Sequence, residues 1–107
     1  MDSFHALAEP TRRKILEMLA KDGQLSATQI SDRFDVSPSA ISQHLKVLRE
    51  ANLVQMEKHA QQRLYRINPD AMLEVADWAT QMARLWERRL DAFGAVLKAE
   101  QKREEER

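Results

Sequence analysis

Three prolines divide the 107-residue chain, and each stands where a helix can begin rather than inside one. A proline lacks the N–H that a helix interior needs, but at the first helical position that N–H has no partner anyway. Pro10, Pro38 and Pro69 therefore predict three helix starts. With only two glycines to interrupt the chain, the segments between them are read with few other breaks. From Pro10, Ile15, Leu16, Met18 and Leu19 keep helical spacing until Lys21, and Gly23 stops the helix. A shorter helix precedes it from about Ser3, apolar at Phe4, Leu7 and Ala8.

Ser26-Ala27-Thr28-Gln29 has the spacing of a capping box, in which serine and glutamine each satisfy a free backbone N–H. Ile30 and Phe34 follow on one buried stripe. After a turn at Asp35-Val36, Ser37 is the N-cap of the Pro38 helix and Val36 staples onto Ile41. Ile41, Leu45 and Leu48 form the buried seam, and Asn52 ends the helix in a left-handed conformation. At Leu53 the period changes to that of strands. Leu53–Glu57 and Arg63–Ile67 read as a hairpin around His59-Ala60-Gln61-Gln62, with Tyr65 and Ile67 inward and Arg66 outward. Asn68-Pro69 then opens a long final helix. The expected fold is mainly α with a small β-hairpin, in the order ααααββα, which is a winged helix-turn-helix. Residues 1–100 read as a single domain and 101–107 as a charged end that frays.

Composition removes several functions. The chain has no cysteine, hence no disulfide framework, thiolate metal site or thiol nucleophile. No apolar run approaches the ~20 residues of a membrane span, and no signal-peptide core opens the chain, so a cytoplasmic protein is expected. Nothing resembles a glycine-rich phosphate loop or a zinc-protease motif, so an enzyme is not expected and no cofactor is implied. Net charge is zero but unevenly spread: residues 36–68 carry five basic side chains against two acidic, whereas both flanks are acidic on balance. A polyanion contact through the middle third fits that asymmetry.

Ser39, Gln43 and Lys46 lie opposite the buried seam, with Ser42 beside them. Such a face suits the major groove: small residues let the backbone approach, and glutamine can make a two-point contact with adenine. Ser37 and Ser39 at the helix start suit phosphate. Lys58, His59, Gln61, Gln62 and Arg63 would form the wing, reaching backbone or minor groove. Phe4, Leu7, Trp78, Met82, Leu85, Trp86, Leu90 and Phe93 exceed what a small domain can cover, and a second copy would cover them. The readings are thus a DNA-binding homodimer on double-stranded DNA or, alternatively, a winged-helix protein–protein module without specific DNA binding.

"LAEPTRRKILEMLA", "SATQISDRFDVSPSAISQHLKVLREANLV" and "RLYRI" resemble the arsenical-repressor (ArsR/SmtB) type of winged-helix transcriptional regulator over roughly residues 4–68. The resemblance implies a homodimeric repressor on an inverted-repeat operator, dimerising through its first and last helices. It places base-reading positions on Ser39, Ala40, Ser42, Gln43 and Lys46. Asn52 stands where the family often has glycine, and Ala60-Gln61 where it often has Gly-Arg, which implies wing contacts that are either weaker or shifted toward Arg63. The family's metal-binding cysteines correspond to Ser26 and Thr28, poor ligands for soft ions. The last helix has no histidine, and His5, His44 and His59 are scattered, so no metal site is expected. A small-molecule effector, the operator and the target genes stay open, as does repression versus activation.

Overall fold

The computed structural model describes residues 2–106. Its elements are α1 (Ser3–Leu7), α2 (Pro10–Asp22), β1 (Leu25–Ser26), α3 (Ala27–Ser31), α4 (Pro38–Glu50), β2 (Val54–His59), β3 (Gln62–Ile67) and α5 (Pro69–Glu105). The local signals act as expected at most helix ends. Gly23 takes φ +84° and donates its N–H to the Leu19 carbonyl, closing α2. Both halves of the capping box form: Gln29 N–H donates to Ser26 Oγ at 3.1 Å, and Ser26 N–H donates to Gln29 Oε1 at 2.8 Å. Asn52 sits at φ 64°, its N–H on the Arg49 carbonyl and the Leu53 N–H on the Leu48 carbonyl. Those two bonds make a Schellman ending, with Leu48 and Leu53, both wholly buried, in the apolar positions that accompany it.

The sheet is larger than a hairpin. β1 adds a third antiparallel strand, Leu25 opposite Tyr65 and Ser26 opposite Leu64, giving the order β1-β3-β2. The hairpin is also tighter: β2 and β3 run to His59 opposite Gln62, leaving a two-residue turn at Ala60-Gln61 where four residues were expected. Two other expectations change. α3 stops at Ser31, so Phe34 lies beyond the helix, half-buried against the core from the following turn. Val36 stays 46% exposed, so no effective staple forms over Ile41, which is buried by the core behind it.

The chain forms two units. In the unit ending at Leu73, Ile15, Leu19, Ile30, Ile41, Leu45, Leu48 and Leu53 are fully buried, and Tyr65 closes the core from the sheet. Asn68, also buried, donates its side-chain amide to the Asn52 carbonyl at 2.9 Å and its backbone N–H to the Leu53 carbonyl. The unit from Glu74 is the remainder of α5, which continues to Glu105 across the charged end that was expected to fray. Glu, Lys, Arg and Gln are strong helix formers, and Arg103 pairs with Glu100 at 2.9 Å one turn away.

Ala60 is the strained point of the sheet. It takes φ 57° while Gln61 stays negative, the sign pattern of a type II′ turn, whose first residue favours glycine. A left-handed alanine costs about 1–2 kcal/mol, and the extra freedom of an unfolded glycine returns about 0.4–1 kcal/mol of that. Ala60→Gly should therefore stabilise the fold by about 0.5 kcal/mol, raising the melting midpoint by roughly 3 °C, while Ala60→Val should lower it. Thermal melts by circular dichroism read both.

Candidate nucleic-acid interface

α4 presents two different faces. Ile41, Leu45 and Leu48 are buried, while Ser39, Ser42, Gln43 and Lys46 are exposed on the outer side. Ser37 is the N-cap, its Oγ accepting the Ala40 N–H at 3.1 Å, and it is itself exposed. Ala40 is half-buried and its N–H is already used, which leaves its methyl as the group it can offer a base.

The wing divides by strand alternation. Lys58 and Arg63 are directly paired across β2 and β3, on the sheet face that nearer the core carries Met56 and Tyr65. His59 and Gln62 belong to the opposite face, so the structure separates His59 from the two cations it was grouped with. Gln61 is exposed in the turn. Two like charges directly opposite one another are unfavourable unless something negative lies between or over them. Arg63 also lines an open concavity of about 230 Å³ with Ser42 of α4 and with Thr28, Ser31 and Asp32 of the α3 region. Thr28 and Ser31 were not expected at this site. Only the fold brings them there, because their own helix reveals nothing beyond a cap.

Behind α4, the sequence reading also missed Arg12. Two arginines in the first turn of α2 oppose its dipole, and both turn back to cap α1. Arg12 Nε donates to the Ala6 carbonyl at 2.7 Å, and one Arg13 terminal nitrogen donates to the Leu7 carbonyl at 2.7 Å. Glu9 is the N-cap of α2, accepting the Arg12 N–H at 3.1 Å. Desolvation acts to raise the Glu9 carboxyl, but the Arg12 N–H, the charge of the nearby His44 ring in its protonated form and the Thr11 donors outweigh it and hold it below its ordinary value.

The residues expected at a dimer interface fall into two sets. Trp78, Met82, Leu85, Trp86, Leu90 and Phe93 are all exposed on α5, Trp86 at 62% and Phe93 at 61%. Phe4 on α1 is 48% exposed, whereas Leu7 is half-buried against its own unit's core. Among the described residues no cluster of three or more His, Cys, Asp or Glu could hold a metal, and no helix is long and apolar enough to cross a membrane.

A capped helix pair, an open-faced second helix and a basic hairpin beside it define a winged helix-turn-helix DNA-binding protein. Residues 9–56 match the family model described as bacterial regulatory protein, arsR family. The chain is 36% identical over 98 residues to the HTH-type transcriptional regulator Rv2034 of Mycobacterium tuberculosis, covering 92% of this chain and 88% of that protein. It is 35% identical over 75 residues to the transcriptional repressor SdpR of Bacillus subtilis, covering 70% and 82%. Among solved structures, an ArsR-like transcriptional regulator from Rhodococcus sp. RHA1 superposes with a TM-score of 0.72 at 31% identity, over 87% of each chain. The chain belongs to the arsR family of DNA-binding transcriptional regulators, whose members named here are regulators rather than enzymes.

Glu9 gives this part of the fold a pH signature. A carboxyl held low in the fold is still ionised where the unfolded chain is already protonated. Its contribution to stability is complete above the ordinary value of 4.5 and is lost as acid takes the pH down through Glu9's own lower value. Glu9→Gln should lie below the wild type in stability at neutral pH and converge with it in that acid window. Melting both proteins across the window checks the convergence.

Proposed function

We propose that the chain is a homodimeric repressor that reads an inverted-repeat operator through α4. The observation that carries this reading is the exposed Ser39–Ser42–Gln43–Lys46 face beside the Lys58–Arg63 pair, with Arg63 and Ser42 lining one concavity. Ser37 and Ser39 take phosphate at the helix start, and Ser39, Ala40, Ser42, Gln43 and Lys46 face base edges. Lys58, Gln61 and Arg63 hold backbone, with His59 in a lesser, flanking role. Residues 1–100 act as one DNA-binding and dimerising domain. Repression, rather than activation, follows the printed name of the Bacillus subtilis relative.

Dimerisation is supported by the apolar surface that α5 leaves exposed in a single chain. A second copy related by a two-fold axis covers that surface and sets two recognition helices about 34 Å apart, one turn of DNA. Selection of bound sequences from random DNA tests the whole reading: it should return a two-fold consensus. Recovery of no sequence above the random pool at moderate salt rejects it.

Gln43→Ala should relax one position in each half-site and cost about 1–3 kcal/mol on the best operator. Arg63→Ala should instead weaken all sequences together and reduce the salt slope by about 1, since a phosphate contact acts through counterion release. Mobility shifts on operator and random duplexes across a salt series separate the two.

Trp86→Glu tests the interface. Burying a large aromatic yields about 25 cal/mol per Å² of apolar surface, and symmetry counts it twice. The variant should keep its helix content, sediment as a monomer and bind operator far more weakly. A persistent dimer would put the main contact elsewhere.

A further inference from the structure

We infer that Arg12 is a positioning residue for the recognition helix, joining α1 to α4 through His44. The inference rests on the reading of α4 as the base-reading element. The guanidinium of Arg12 makes three contacts: Nε donates to the Ala6 carbonyl at 2.7 Å, one terminal nitrogen donates to the His5 carbonyl at 3.3 Å, and the other lies 3.3 Å from His44 Nδ1. An arginine can only donate, so this contact is a hydrogen bond in the neutral ring tautomer that leaves Nδ1 free to accept and carries its proton on Nε2. Glu9 Oε2 is 3.9 Å from the same nitrogen, beyond hydrogen-bond reach, so the lone pair belongs to Arg12.

The geometry matters because of where each end lies. His44 follows Gln43 directly and precedes the buried Leu45, so it stands at the border between the face offered to DNA and the seam in the core. Apolar packing along Ile41, Leu45 and Leu48 sets how deep α4 sits, but it acts on one side of the helix only. A directional hydrogen bond on the flank resists rotation about the helix axis. Its other anchor is the C-terminal end of α1, a helix of 5 residues. The planar guanidinium spans both at once, which the single ammonium point of a lysine cannot do.

The test uses the full chain and a duplex chosen by selection from random DNA, with discrimination measured as operator affinity over random-duplex affinity. Arg12→Met and His44→Leu should each lower discrimination about tenfold, the scale of one loosened base contact, with random-duplex affinity within about twofold of wild type. The double variant should be no worse than either single one, because both cut the same link. His44→Gln, whose amide oxygen can still accept from Arg12, should recover most of the discrimination, while Arg12→Lys should not. Losses that multiply in the double variant, or that fall equally on operator and random DNA, overturn the link. If Arg12→Met fails to fold by circular dichroism, His44→Leu decides, since it leaves the grip on α1 intact: full discrimination there overturns the inference. A wild-type protein with no preference among sequences rejects the proposed function along with it, an outcome seen before any variant is made.

Discussion

The structure depends on burying one side of α4 completely while leaving the other bare. Ile41, Leu45 and Leu48 are almost inaccessible, and each such side chain contributes about 1.5–3 kcal/mol by leaving water. That burial obliges the surrounding elements to converge on the helix: α2 and α3 behind it, β2 continuing from its end, and α1 at its flank. Both helix ends are then closed locally, by Ser37 at one and by the left-handed Asn52 at the other. A helix held on one side and at both ends needs nothing from its outer face, so that face can be chemically sparse without loss of stability.

Electrostatics refine the same arrangement. The basic excess of the middle third is not a uniform coat, because Lys58 and Arg63 share one face of the hairpin and His59 takes the other. Arg66, also basic, is engaged with Gln55 at 3.1 Å. The basic residues further along the chain lie on α5, among acidic neighbours, as Arg103 beside Glu100 shows. A neutral chain thus concentrates a small positive surface beside its sparsest helix face.

What could be read from the residues was what residues decide locally. The Ser26–Gln29 box, the Ser37 cap, Gly23 and Asn52 are each fixed by atoms a few positions apart, and each forms. β1 escaped because two residues have no period, and their pairing partners Leu64 and Tyr65 lie far along the chain. Phe34 fitted a helical stripe that α3 is too short to extend to it. His59 was grouped with Lys58 and Arg63 because a four-residue turn has no faces; once the strands reach His59 and Gln62, alternation separates them. Gln43 and its neighbours were legible from periodicity alone, whereas Thr28 and Ser31 come to line the concavity with Ser42 and Arg63, and Arg12 comes to reach His44, only through contacts across the fold.

The short strand β1 has a consequence for how the sequence can vary. By pairing Leu25 with Tyr65 it stitches together the two ends of a loop that contains α3, α4, the turn and the whole wing. Every residue proposed to meet DNA lies inside that loop, and Phe4 and the α5 residues proposed to meet a second copy lie outside it. The chain therefore carries its reading surface as a cassette with fixed ends. Substitutions on the exposed faces between those ends can redirect what is read while the stitch and the core behind it stay as they are.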